Sequence, residues 1–339
     1  MSAPSNEHEL EMRLSEPTVA VQDALAKFPG DLIVLGAGGK MGPSLCHMAR
    51  RAAGGSRRIV AVSRFTDSRV AARLLDWNIE VIRGDLLDRQ FVARLPRCPL
   101  VVYMTGTKFG STAAPERTWA MNTLLPAIVC EHFRASRIVA FSTGNVYPLV
   151  PVTTSRGCTE ADPLGPVGEY AMTCLGRERI VSYFSHEWQI PMSLVRLNYA
   201  VELRYGVLVD IARQVWQRQA VSLAMGYANV IWQADANAQA LATFPLAASP
   251  PFILNVTGPE TIRVRDVALR FGELMQRDVS FTGEELPTAL LNNASLAQQL
   301  FGPPRVSPSQ LIEWIAGWIR AGQPLWEKPT HFEVRDGRF

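Results

Sequence analysis

Asp31-Leu-Ile-Val-Leu-Gly-Ala-Gly-Gly-Lys-Met-Gly42 is the stretch that decides the fold. Leu32 to Leu35 form an apolar run that stops at Gly36, and a helix-compatible segment opens near Lys40. The pattern reads as a buried strand, a glycine turn and a helix N-terminus. Such a turn lets backbone N–H groups approach a pyrophosphate, whose negative charge the helix dipole favours. Glycines fall at Gly36, Gly39 and Gly42, with an additional one at Gly38. A glycine triplet alone is weak evidence, so its surroundings carry the reading.

Outward from the turn, strands and helices alternate. A helix over Met41 to Ala53 leads to the strand Ile59-Val-Ala-Val-Ser63, a helix over about 67–77 and the strand Ile79-Glu-Val-Ile82. Gly84-Asp85-Leu-Leu-Asp88 follows, then the strand Leu100 to Thr105, a helix over about 116–134 and the strand Arg137 to Ser142. Strands that read as continuous apolar runs between helices predict an α/β fold, a doubly wound parallel sheet of Rossmann type. Ligands of such sheets bind at the carboxyl ends of the strands, where Gly36, Ser63, Asp85, Thr105 and Ser142 fall.

Past residue 198 the alternation turns irregular, which suggests a smaller α/β substrate lobe. The expected division is an N-terminal extension (1–30), a dinucleotide-binding domain (31–200), a smaller lobe interleaved with the core (201–325) and a tail (326–339). Residues 1 to 14 read as polar and mobile, and Ser15-Glu-Pro-Thr18 as the start of a short helix through Val19, Val21, Leu25 and Phe28. The closing His331-Phe-Glu-Val-Arg-Asp-Gly-Arg-Phe339 mixes aromatics with charges, and either folds back over the site or a partner subunit or frays.

Composition narrows the class. With 47% hydrophobic and 19% charged residues in 339, the chain has enough apolar material for a large core and too little charge for extended disorder. A net charge of +3 with scattered Lys and Arg excludes nucleic acid as an expected partner. Cys46, Cys98, Cys130, Cys158 and Cys174 form no CxxC pair, which suits a reducing cytoplasm. The five histidines lack metal-ligand spacing, so no metal is expected. No apolar run approaches the roughly 20 residues of a membrane span, and the N-terminus does not read as a signal peptide. A cytoplasmic protein with a small-molecule substrate is expected, with the homodimeric state left open.

With these residues in place, the sequence resembles the extended short-chain dehydrogenase/reductase family, of the NAD-dependent epimerase/dehydratase type, over roughly residues 30 to 320. The family's Gly-x-x-Gly-x-x-Gly is similar to Gly36, Gly39 and Gly42, and its Gly-Asp-Leu to Gly84-Asp85-Leu86, whose Asp would meet the adenine. Its central-helix Asn resembles Asn122, and its Ser-Ser/Thr-x-x-Val-Tyr-Gly resembles Ser142-Thr-Gly-Asn-Val-Tyr147, with Pro148 replacing the last glycine. Asp235 and Asn255-Val-Thr-Gly258 resemble later family features.

The family's Tyr-x-x-x-Lys falls on Tyr170 and Cys174, so the tyrosine is kept and the lysine is not. The resemblance implies proton transfer by Tyr170, with the Thr143 or Ser142 hydroxyl on the same substrate oxygen. A free tyrosine has a pKa near ~10, and an ammonium at 4 Å contributes up to roughly 4 kcal/mol toward lowering it. Cysteine carries no positive charge. Arg177 shares the helix face but lies roughly 10 Å further along, and a small buried hydrophobe is the plainer reading of Cys174. Thr143 is followed by Gly144-Asn145, where the family's sugar dehydratases carry an acid and a base, so dehydration is disfavoured. Arg196-Leu-Asn-Tyr-Ala also departs from the run that frames many nucleotide-sugar sites.

The expected cofactor contacts are Gly36, Gly39, Lys40, Met41 and Gly42 in the turn, Ser63, Arg64, Asp85, Leu86, Thr105, Gly106 and Asn122, with Cys174 in the lysine's place. Where NAD enzymes of this shape place an acid, this chain has Ser63-Arg64 with Arg69 soon after. An arginine there suits a 2′-phosphate, so NADP is expected ahead of NAD. Lys108 follows the fourth strand and either reaches nicotinamide or substrate or is a solvated loop lysine; Tyr199, Arg204 and Tyr205 are candidates to line the substrate lobe, with packing the expected role of each tyrosine. The function expected is an NAD(P)-dependent oxidoreductase or epimerase acting on a hydroxyl or carbonyl carbon of a small polar, sugar-like molecule. The alternative is a catalytically weak dinucleotide-binding sensor.

Overall fold

A computed structural model of the chain describes residues 2–55 and 57–338. Seven parallel strands form the central sheet: β1 (Leu32–Leu35), β2 (Ile59–Ser63), β3 (Glu80–Arg83), β4 (Leu100–Tyr103), β5 (Arg137–Thr143), β6 (Met192–Leu197) and β7 (Phe252–Val256). Their order across the sheet is β7-β6-β5-β4-β1-β2-β3. Chain order therefore reverses between β1 and β4, and the carboxyl-end crevice of such a sheet opens at that reversal. The register pairs Leu32–Leu35 with Ile59–Val62 on one side and Leu100–Tyr103 on the other.

Both faces of the sheet are covered, which explains why β1 is apolar at every position. Leu32 and Val34 pack with Leu45 and Ala49 of α3 (Gly42–Ala53), while Ile33 and Leu35 pack with Leu125 and Ile128 on the opposite face. Each such side chain contributes about 1.5–3 kcal/mol on burial.

The N-terminus departs from expectation. Residues 7–14 form a helix, α1 (Glu7–Leu14), rather than a mobile segment. Asn6 caps it by accepting from the Glu9 N–H at 3.0 Å, and Leu10 and Leu14 are buried. Its third inward residue is Glu11, which pairs with Arg204 and Arg73, so an apolar stripe search misses the helix. The expected short helix is α2 (Val19–Lys27), capped by Thr18. Downstream are α4 (Ser68–Asp76) and α5 (Arg89–Ala93).

The single helix expected over 116–134 is α6 (Pro115–Trp119) and α7 (Leu125–His132), joined by a π-helical turn at Ala120–Leu124. Pro126 has no N–H to give the carbonyl of Asn122, and the helix widens there. The long helix α8 (Gly168–Trp188) carries Tyr170 in its first turn. Past β6 come α9 (Val207–Trp216), α10 (Gln233–Ala242), α11 (Val264–Met275), α12 (Ser295–Phe301) and α13 (Pro308–Arg320), with short paired strands between them. Among the described residues no helix is long and apolar enough to cross a membrane.

Candidate active site

Three glycines of the turn have different reasons to be glycine. A Cβ on Gly42 would lie 2.3 Å from the Ala37 carbonyl oxygen, so helix α3 can approach the turn only without one. Gly36 has φ +91, and a Cβ there would meet Thr105 Oγ1 at 2.7 Å. Gly39 differs: within 4 Å its Cβ would meet only the Gly36 carbonyl oxygen, at 3.4 Å, and Gly39 faces the cavity. Thr105 Oγ1, at the end of β4, is buried without a partner. An open glycine face over a helix N-terminus, beside an unsatisfied hydroxyl, fits a dinucleotide. Gly42→Val is therefore expected to unfold or strongly destabilise the chain. Gly39→Val should leave thermal unfolding nearly unchanged and weaken dinucleotide binding at least about tenfold; equal affinity by titration would reduce the turn to a structural feature.

Of the other cofactor candidates Lys40, Met41 and Gly106 line the cavity with Gly36 and Gly39, whereas Gly42, Ser63, Arg64, Asp85, Leu86, Thr105, Asn122 and Cys174 are not among its lining residues. Ser63 ends β2, with its Oγ 2.7 Å from where a Gly38 Cβ would be. Arg64 is exposed, while Arg69 is turned aside onto Asp67 at 2.9 Å, the residue that caps α4. Asp85 is exposed and accepts from the Leu87 N–H at 3.0 Å, with Leu86 buried beside it. Met41 sits at the N-cap of α3.

Tyr170, Thr143, Ser142 and Arg177 all line one cavity of about 370 Å³, together with Gly39 and Lys40. Beside the Tyr170 phenol lie Thr143 and Cys174, which act on its ionisation in opposite senses. Burial foremost, and then Cys174, pushes the Tyr170 phenol above its usual range, while Thr143 and Arg177 pull it back. Cys174 is fully buried, and burial raises its thiol as well. Thr143 also accepts from the Asn145 backbone and side chain at 3.2 and 3.0 Å, which fixes its hydroxyl. Ser142 is spent differently: its hydroxyl donates to Glu178 at 2.5 Å. Glu178 forms a buried pair with Arg196 at 2.8 Å, and Arg196 reaches the Tyr147 hydroxyl at 2.6 Å. Ser142 thus ties β5 to α8 and leaves Thr143 as the hydroxyl beside Tyr170.

Counted by helical rise Arg177 is a poor substitute for the lysine, yet its side chain reaches the cavity that Tyr170 lines. Arg177 is 5% exposed, and its guanidinium donates to the Phe141 carbonyl at 2.9 Å, to Asn122 Oδ1 at 2.8 Å and to the Asn122 carbonyl at 3.4 Å. The last acceptor is the one Pro126 leaves without its i+4 donor. Asn122 is clamped further by Thr107 and Thr173, so the π turn, the loop after β4 and α8 meet at this residue. Gly106 is required there, because its Cβ would lie 2.5 Å from Arg177 Nη2.

Residues 32–201 match the model of the NAD dependent epimerase/dehydratase family. The chain belongs to the NAD-dependent epimerase/dehydratase family. No curated protein matches it significantly in sequence. Among solved structures it is similar to a UDP-glucuronic acid 4-epimerase from Bacillus cereus, with 15% identity and a TM-score of 0.72 over 86% of this chain and 99% of that one. An epimerase from Methanothermobacter thermautotrophicus gives 19% identity and 0.72 over 90% and 96%. A dTDP-glucose 4,6-dehydratase from Bacillus anthracis gives 14% and 0.72 over 86% and 97%. At these identities the likeness is one of fold.

Of the three residues considered for the substrate lobe, Tyr199 and Tyr205 line the cavity, whereas Arg204 is buried away from it in a cluster with Glu202, Glu11 and Glu7. Asn198 and Gln233 line it too, from positions where no motif marks them. Asp235 pairs with Arg305 at 2.5 Å. The C-terminal segment folds back over the site: Thr330 lines the cavity, its carbonyl accepts from Lys108 at 3.0 Å, and its N–H and hydroxyl donate to Asp210. Arg335 anchors the segment on Thr288, and Gly337 packs against Gly168 at the start of α8.

Proposed function

We propose that this chain is an NAD(P)-dependent epimerase or oxidoreductase acting on a hydroxyl-bearing carbon of a small polar, sugar-like molecule. The observation that carries the reading is that Tyr170 and Thr143 line the same cavity as the open face of Gly39. Oxidation of a secondary alcohol removes a proton from oxygen and a hydride from carbon. Tyr170 exchanges the proton and Thr143 holds the oxygen. Gly36, Gly39 and Thr105 would hold a nicotinamide dinucleotide, which when bound would supply the hydride acceptor.

Dehydration is the poorer fit. Gly144 cannot be replaced by an acidic residue without moving Asn292, whose amide lies 2.6 Å from the position of a Gly144 Cβ. Sugar nucleotides are the ligands named for the neighbours, UDP-glucuronic acid with NAD for the Bacillus cereus enzyme among them. The test is incubation with oxidised cofactor and a panel of free and nucleotide-linked sugars and sugar acids. Epimer exchange or cofactor reduction that disappears in Tyr170→Phe supports the reading, and unchanged turnover in that variant sinks it.

A second reading draws on Cys174: with burial raising Tyr170 and no lysine beside it, the chain would bind a dinucleotide without turnover. It expects tight cofactor binding and no reaction across the panel.

The cofactor is NADP on the strength of Arg64, exposed just past the end of β2. NADPH is expected to bind more tightly than NADH, and Arg64→Ala to reduce that preference by about 1–3 kcal/mol. Equal affinities in the parent would assign the site to NAD.

A further inference from the structure

Two ammonium groups from separate elements face the cavity beside Tyr170 and Thr143. Lys40 leaves the glycine turn and places its Nζ 3.0 Å from the Tyr205 ring centroid and 5.1 Å from that of Phe109. Lys108, in the loop after β4, lies 5.5 Å from the same Phe109 centroid and donates to the Thr330 carbonyl. Cations brought together out of water repel, and burial penalises each of them further. Burial first, then Lys328 and Lys108, hold Lys40 down to about 7 against the pull of Asp210. Burial lowers Lys108 to about 8 against Glu333, Asp210 and Cys174. Asp210 is itself engaged by two donors from Thr330, at 2.7 and 2.6 Å.

Asn198 supplies an independent observation. It lines the same cavity and is 1% exposed, and neither its amide nitrogen nor its oxygen has a partner. Buried amides are rarely left unpaired, and a polar side chain with both ends open in a cavity marks a place for a ligand. Tyr199, next to it, is held at φ +46, a conformation that only a constrained site keeps in a bulky residue.

We propose that the substrate carries a negatively charged group, a carboxylate or a phosphate, held by Lys40 and Lys108 with the Asn198 amide donating to it. The proposal rests on the reading of this cavity as the substrate site. Anionic chemistry has a second source here, the diphosphate of the cofactor. The glycine turn offers its backbone N–H groups to that diphosphate, whereas the Lys40 ammonium has crossed to Tyr205, ahead of α9.

Sulfate is the probe, because its charge stays constant from about pH 6 to about pH 9, where the two lysines titrate. Calorimetric titration of sulfate into protein saturated with oxidised cofactor is expected to show saturable binding. Lys108→Met and Lys40→Met should each weaken it at least about tenfold, Asn198→Ala should weaken it measurably, and Lys108→Arg should stay within about threefold of the parent. Affinity should fall as pH rises through 7 and 8, since only the protonated amines attract the anion. Absence of saturable binding, or unchanged binding in Lys108→Met, overturns the proposal. So does sulfate that competes with the dinucleotide, or a Lys108→Met variant that loses dinucleotide and sulfate affinity equally, because the lysines then serve the cofactor. A chain that takes up neither NAD nor NADP fails the family-based reading instead, and sulfate titration of that same chain still reads the lysines.

Discussion

Tyr170→Phe is expected to lower turnover by about 10²–10⁴-fold while cofactor affinity stays within about threefold, because only the phenolic proton is removed. The ring lines the cavity beside Thr143, so phenylalanine keeps the shape and loses the relay. Restoring the family's lysine should not help by itself. Cys174 is fully buried in coulombic contact with Arg177, and a second cation placed there would repel the first. Cys174→Lys is expected to destabilise the parent and to be tolerated better together with Arg177→Met, a variant pair that moves the charge from one helical turn to the other. Thermal unfolding of the four proteins of that cycle measures the coupling. Additive effects would mean that the two positions do not share one charge site.

A large stability loss is also expected from Glu178→Ala. Glu178 and Arg196 have side chains 4% and 3% exposed and pair at 2.8 Å, with Ser142 donating to the same carboxylate. Removing one partner of a buried pair leaves the other charge uncompensated, at a cost of about 3–5 kcal/mol. Denaturant unfolding should show that loss, and Arg196→Met added to it should recover part of it. A change under about 1 kcal/mol would show that water enters and solvates Arg196, so the pair would not be the tie between β5 and α8.

The fold is legible because β1, β2 and β4 are buried apolar runs, with Gly36 directly after the first and Ser63 ending the second. The glycine spacing, Tyr170 and Thr143 could be read for the same reason, since backbone approach and proton transfer admit few residue types. What escaped the sequence depended on side-chain reach. Arg177 was placed by counting helical rise, but its long stem and the carbonyl left over by Pro126 bring its charge back into the cavity. Helix α1 was missed because its inward face includes Glu11, acceptable only beside Arg204, 193 residues away. Thr330 and Asn198 carry no local signal, and only tertiary packing brings them to the site.

We propose that Tyr170 exchanges the proton in a cofactor-loaded cavity, with the Arg177 charge standing in for the missing lysine. Ultraviolet titration of tyrosinate, taken as the difference between each protein and its Tyr170→Phe counterpart, follows this one phenol in the presence of oxidised cofactor. Arg177→Met is expected to raise the ionisation of Tyr170 by about one pH unit or more, equivalent to at least ~1.4 kcal/mol of lost charge stabilisation. An ionisation that stays where it is when the guanidinium is removed would contradict the claim.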